Sequence, residues 1–177
     1  MVNKSKNILS SAIFLGTRLE ALEMLMKYFH VVKVITTKNS YVRKKYRDSF
    51  LVNKKNKSAV FSTIKKSNVK LIFSSGFPFI LPKYLLDKKN NKIYLNSHPS
   101  YLPKYKGRKC ISRAFMNKEK YYGVTVHHIS KRVDSGKIIY QEKKLLKNYN
   151  LKRIYSYIFS KLEPRVIKKS LIKIKKI

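Results

Sequence analysis

The chain has 177 residues, enough for one hydrophobic core of the usual domain size of about 100 to 150 residues and little more. Its 44% hydrophobic content argues against sustained disorder, and its single cysteine excludes an intramolecular disulfide and any cysteine-rich zinc site. The charge is the anomaly, because 42 Lys and Arg against 8 Asp and Glu give +34. Two readings of it stand. Lys keeps company with many Asn, Ile and Tyr, as an AT-rich coding sequence would favour, so the excess is either compositional drift on solvated faces or the footprint of an anionic partner such as nucleic acid or a membrane surface. Under both readings the potential draws anionic substrates such as phosphates or folates. No run reaches the roughly 20 apolar residues of a membrane span, and the opening Met1–Lys6 leads into a run too short and too polar for a signal peptide. The expectation is a single unsecreted, cytoplasmic domain over residues 1–177.

Ser11–Gly16 is a short apolar run ending in glycine, followed by Thr17 as an expected N-cap and a helical pattern of Leu19, Leu22, Leu25, Met26 and Phe29. Val31–Thr37 is β-branched and reads as a second strand, so the opening is a βαβ unit with parallel strands. Residues 38–57 are polar and basic, with Phe50–Val52 as an edge strand, and Ser58–Lys66 reads as a helix. Val69–Gly76 repeats the strand-to-glycine pattern, and a turn with two prolines leads through a helical piece at Tyr84–Leu86 to a strand at Lys92–Ser97. Pro99 and Pro103 impose an extended loop, Cys110–Asn117 is a helix, and Gly123–Ile129 and Lys137–Gln141 are strands joined by a turn. All five glycines are expected at turns or element edges. Leu151–Leu162 is an amphipathic helix that Pro164 is expected to separate from a second one at Val166–Ile174. This alternation predicts an α/β fold: an open, mostly parallel twisted sheet with helices on both faces, binding ligand beyond the carboxyl ends of its strands. Gly16, Gly76 and His98 all fall at such ends.

The chemistry concentrates in Asn96-Ser97-His98-Pro99-Ser100, answered by Val133-Asp134-Ser135-Gly136. An amide, an imidazole and a carboxylate suffice to bind an oxyanion, move a proton and fix a histidine's tautomer. Each residue alone has a plainer use: Asn96 and Asp134 as turn formers and His98 as a structural histidine. With so few acids in the chain, however, each retained one invites a functional explanation. Cys110 has no base beside it and is a poor candidate nucleophile.

The same region carries a longer pattern. Asn96-Ser97-His98, the Ser100-Tyr101-Leu102-Pro103 loop with Gly107 and Arg108 beyond it, Gly123-Val124-Thr125-Val126-His127 and Asp134-Ser135-Gly136 stand in that order. In this the segment from Leu95 to Ile139 resembles the folate-dependent formyltransferase superfamily, whose members include amino-sugar N-formyltransferases, glycinamide ribonucleotide transformylase and methionyl-tRNA formyltransferase. The resemblance implies that Asn96, His98 and Asp134 are catalytic, that 10-formyltetrahydrofolate is the co-substrate and that no metal is required. It implies a folate slot lined by Gly76, Phe77, Phe79, Ile80 and Leu81 together with Arg132 and Val133. Phe77 and Phe79 could equally be plain core. A phosphate seat for the amine substrate is expected at Gly16 and Thr17, with Arg108 also binding substrate. His127 aligns with the family's Thr-x-His, and His128 reads as structural.

The resemblance further implies that the acceptor is a primary amine, expected on a phosphorylated or nucleotide-linked molecule. The loop from Leu102 to Arg108 looks most like the amino-sugar enzymes, which makes a nucleotide-linked amino sugar the expected acceptor, with glycinamide ribonucleotide and initiator tRNA as alternatives. The expected organisation is a catalytic domain without the C-terminal tRNA-binding domain, its shortness implying acceptor-pocket loops that are either trimmed or supplied by a homodimer partner. A different class of reading is a non-catalytic basic module, whose Lys-rich stretches at 38–57 and 165–177 bind nucleic acid or an anionic membrane.

Overall fold

The computed structural model describes residues 10–87 and 91–175, so the reading of Met1–Lys6 lies outside the described residues. Seven strands form one sheet in the order β3-β2-β1-β4-β5-β6-β7. They are β1 Ser11–Gly16, β2 His30–Thr36, β3 Phe50–Leu51, β4 Leu71–Ser75, β5 Ile93–His98, β6 Tyr121–His128 and β7 Ile138–Leu145. The first five pair in parallel, whereas β6 and β7 run antiparallel at one edge. The expected open α/β sheet is what forms.

Central strands buried on both faces read as continuous apolar runs. Ala12–Leu15 and Leu71–Phe73 are buried throughout, and their side chains alternate between two cores. Phe14, Phe73 and Leu95 stand in register and pack under α1 (Leu19–Met26), α4 (Cys110–Met116), α5 (Leu151–Tyr157) and α6 (Glu163–Lys175). Ile13, Leu15, Ile72 and Tyr94 face the other way, against α3 (Lys57–Lys66) and Leu85 of a short 3-10 turn. Removing a ring such as Phe73 would cost about 3–5 kcal/mol through lost burial and the cavity left behind.

Several local expectations give way. Thr17 does not cap α1: its hydroxyl donates to the Gly76 carbonyl at 3.1 Å, and Arg18 takes the N-cap position without a side-chain hydrogen bond. The basic stretch contains a helix that the sequence did not announce, α2 (Tyr41–Lys45), whose Ser40 cap accepts from the Arg43 amide at 3.0 Å. Gly123 lies inside β6 instead of at an edge, because a Cβ there would stand 2.7 Å from that of Tyr101. β7 runs on to Leu145.

Pro164 does not divide the C-terminal helices either. A π turn, Ile158–Leu162, joins α5 directly to α6, and Pro164 falls in the first turn of α6. A wider turn frees backbone groups locally, which accommodates a proline that has no N–H to give.

Candidate active site

A cavity of about 760 Å³ lies at the carboxyl edge of the parallel strands, where open α/β sheets bind ligands. Side-chain alternation along β5 divides its walls. Asn96 and His98 face the side of Tyr94, with Phe77, Phe79, Leu81, Ile129 and Val133 around them, whereas Ser97 faces the helix side with Arg18, Cys110, Tyr155, Phe159 and Glu163.

Asp134 joins the polar groups. Its Oδ2 is 3.3 Å from His98 Nδ1 and accepts from the Gly107 amide at 2.8 Å, and its Oδ1 is 3.5 Å from His127 Nε2. The carboxylate is delivered by a backbone in the left-handed region, at φ +47°, which an L-residue adopts at a cost in strain. The following Gly136 is forced: a Cβ there would sit 1.7 Å from the His128 carbonyl oxygen. The Asp-Ser-Gly turn is therefore fixed from both ends.

The hydrogen positions on His98 follow from its partners. Nε2 is 3.0 Å from the Tyr105 carbonyl, which can only accept, so Nε2 carries hydrogen. A neutral ring would then turn the Nδ1 lone pair toward Asp134, whereas the cation donates to it. Burial works against that cation and holds the His98 pKa below 6.5, opposed by the charge of Asp134 and the Tyr105 carbonyl. For Asp134 burial pushes upward, but the neighbouring His127 ring, the charge of His98 and the Gly107 amide outweigh it and leave the carboxyl below its ordinary range. The pair thus balances between an ion pair and a neutral imidazole.

His127 donates from Nδ1 to the His128 carbonyl at 2.8 Å, and its Nε2 lies 3.4 Å from the Asn96 amide nitrogen as well as facing Asp134. Thr125 anchors the intervening loop: its hydroxyl donates to the Ser100 carbonyl at 2.8 Å and accepts from the Leu102 amide at 3.1 Å. Lys106 meets the Ser135 hydroxyl at 2.8 Å, tying that loop to the Asp134 turn.

The structure brings Asn96, His98 and Asp134 to one place, and Gly76, Phe77, Phe79, Ile80, Leu81, Val133 and Arg108 onto the same cavity. Phe77 and Phe79 meet edge to face at 5.7 Å and also pack on the core, while Ile80 is 77% and Val133 50% exposed. An apolar wall left in water at the mouth fits a flat ligand. Arg132, Gly16 and Thr17 are not among the lining residues; the Arg132 carbonyl accepts from Ser130, and Gly16 is closed in by Ser75. Burial pushes the Cys110 thiol up to about 11, and its Sγ donates to the Pro99 carbonyl. Arg18, Tyr155 and Glu163 escaped the sequence reading; the one signal for Glu163 was its membership of so small a set of acids. Among the described residues no cluster of His, Cys, Asp or Glu could hold a metal ion.

Fold and site together define an open-sheet α/β protein with an amide, two imidazoles and a carboxylate gathered at the carboxyl edge. The family model described as "Formyl transferase" matches residues 17–169, and the chain belongs to that family. It is 32% identical over 117 residues to methionyl-tRNA formyltransferase of Borreliella burgdorferi, covering 66% of this chain and 37% of that protein. It is 40% identical over 84 residues to the trifunctional purine biosynthetic protein adenosine-3 of Chironomus tentans, covering 48% of this chain and 6% of that one. The chain thus spans well under two-thirds of these curated relatives. The solved phosphoribosylglycinamide formyltransferase of Streptococcus pneumoniae superposes with a TM-score of 0.79 at 21% identity, covering 94% of this chain and 98% of that one. The corresponding enzyme of Anaplasma phagocytophilum gives 0.77 at 25% identity, covering 96% and 88%.

Proposed function

We propose that the protein is an enzyme that transfers the formyl group of 10-formyltetrahydrofolate to a primary amine. The observation that carries this reading is the Asp134 carboxylate shared between His98 at 3.3 Å and His127 at 3.5 Å, beside Asn96, on the wall of a cavity of about 760 Å³. The amine nitrogen attacks the formyl carbon, and the carbonyl oxygen becomes an oxyanion. The Asn96 amide and the His98 Nε2–H stabilise it, the oxyanion replacing the Tyr105 carbonyl as acceptor; a well-placed donor of this kind contributes about 3–4 kcal/mol. Asp134 supports the imidazolium, and a proton leaves the attacking amine and reaches the departing folate nitrogen as the tetrahedral centre collapses. No step calls for a metal.

Phe77, Phe79, Ile80, Leu81 and Val133, with Gly76 at their base, form the folate wall, leaving the helix side with Arg18 and Arg108 to the amine. The acceptor carries phosphate, which suits the positive potential of the chain. Glycinamide ribonucleotide is the first compound to test, because solved phosphoribosylglycinamide formyltransferases match the chain nearly end to end. The nucleotide-linked amino sugar expected from the Leu102–Arg108 loop is the second, and initiator tRNA is favoured by the methionyl-tRNA formyltransferase relatives. Among the described residues no helix is long and apolar enough to cross a membrane, and we place the reaction in the cytoplasm.

The test is formyl transfer to each of these three acceptors, with folate binding measured separately in His98→Ala. Transfer lost with binding kept is the expected result. A chain that moves no formyl group and instead binds nucleic acid with a steep salt dependence would be the basic module.

A further inference from the structure

Glu163 begins α6 on the helix side of the cavity, and the transfer chemistry leaves it without a task. It is 1% exposed. Its Oε1 accepts from the hydroxyls of Ser75 at 2.7 Å and Ser97 at 2.6 Å, while its buried Oε2 has no hydrogen-bond partner. The two serines are register partners at the ends of β4 and β5, and Ser97 stands between Asn96 and His98. One carboxyl therefore grips both strand ends from the face opposite the two catalytic side chains. The π turn places it there. By adding a residue to one helical turn, Ile158–Leu162 carries the inward stripe of Ile154, Ile158 and Leu162 onto Glu163, Val166 and Ile167, and such turns occur often at functional sites.

We propose that Glu163, as a neutral carboxylic acid, is a positioning residue that acts through Ser97 to hold Asn96 and His98 in the geometry for transfer. An ionised carboxylate in this place would keep one oxygen without any donor, which a buried charge does not tolerate. The surrounding groups are the Ser75 and Ser97 hydroxyls from the sheet, with Arg18 and Glu20 from α1 acting through their charges. Burial raises the Glu163 pKa, against the pull of the two hydroxyls and of Arg18. Rising pH removes the proton, so positioning is intact below the raised Glu163 pKa and fails above it.

The proposal rests on the formyl-transfer reading for its kinetic test only. Glu163→Gln keeps an acceptor oxygen for both serines and no charge; it is expected to retain kcat and to lack the loss of rate that deprotonation of Glu163 is expected to cause in wild type. Glu163→Leu and Ser97→Ala are expected to lower kcat about tenfold or more with folate KM held within about twofold, since small misplacements of reacting groups cost rate before binding. A purely structural Glu163 would instead lower thermal stability in Glu163→Leu and leave kcat per folded molecule unchanged, and that result overturns the proposal. If Glu163→Leu does not fold, Ser97→Ala decides. Two readouts need no acceptor. The infrared carbonyl band of a protonated acid, present in wild type and absent in Glu163→Gln, is expected at neutral pH, and its absence in wild type refutes the neutral acid. The His98 ring resonances are expected to move in Ser97→Ala and stay in Glu163→Gln; if they stay in both, no positioning exists. Failure of transfer in the wild type itself counts against the proposed function and leaves these two spectra to decide on Glu163.

Discussion

β1 and β5 both end at the carboxyl edge of the sheet, each followed by a turn that looks ready to receive a ligand, yet they meet different fates. At β5, the chain leaves the sheet through Pro99 and the strand's last side chains, Asn96 and His98, open onto the cavity. At β1, the neighbouring strand's own exit fills the space: a Cβ on Gly16 would lie 1.8 Å from the Ser75 carbonyl oxygen, and the Thr17 amide and hydroxyl bond Ser75 and Gly76 at 3.1 Å each. A strand end becomes a binding site only where its neighbours leave backbone and side-chain groups unclaimed. Gly16 and Thr17 are spent on joining β1 to β4.

The contrast sets the order of expected effects. His98→Ala or Asn96→Ala should lower formyl transfer by about 10²–10³, the scale of one lost oxyanion donor, with thermal unfolding almost unchanged. Gly16→Ala should act in the opposite way, costing about 1–3 kcal/mol or more of stability by forcing β1 and β4 apart; a variant as stable as wild type would mean that the contact is softer than the structure shows. Asp134→Asn removes the charge that favours the His98 cation, so an NMR titration should place the His98 midpoint still lower than in wild type. Thr17→Val should be the mildest, losing about 0.5–1.5 kcal/mol with transfer intact. A large loss of transfer in Thr17→Val would restore the β1 turn as a substrate seat.

Stability against pH follows from the same pair. His98 is buried with a lowered pKa, so on acidification the unfolded chain takes its proton first, and stability falls as pH drops below about 6.5 toward the folded value. Asp134, also lowered, adds stability above its ordinary 3.8 that is lost further down. Chemical unfolding of wild type and His98→Asn between pH 7 and 5 should show the steeper decline in wild type.

The parts of the molecule legible in the sequence are those governed by neighbours along the chain. Apolar runs that close on Gly16 and Gly76 announced β1 and β4, and the order of Asn96, His98, His127 and Asp134 announced a cluster that the structure gathers at one cavity. What escaped depends on contacts far away in sequence. Thr17 has the chemistry of a cap, but the Gly76 carbonyl, 59 positions on, competes for its hydroxyl. Glu163 meets serines 88 and 66 positions back, and no local pattern says that they converge. Pro164 carries the ordinary signature of a helix break, which a preceding π turn cancels. Arg18 was overlooked because its place over the Phe159 ring, at 3.6 Å, follows from the helix packing.

The most direct measurement is transfer of isotopically labelled formyl from 10-formyltetrahydrofolate to glycinamide ribonucleotide, a nucleotide-linked amino sugar and initiator tRNA, run in parallel on wild type and His98→Ala with folate affinity determined for both. Labelled product from at least one amine with wild type, falling by about 10²–10³ in the variant at similar folate affinity, is the predicted result. Equal transfer by the two proteins, or folate binding by wild type with no formyl product from any of the three, would contradict a catalytic cluster at the end of β5.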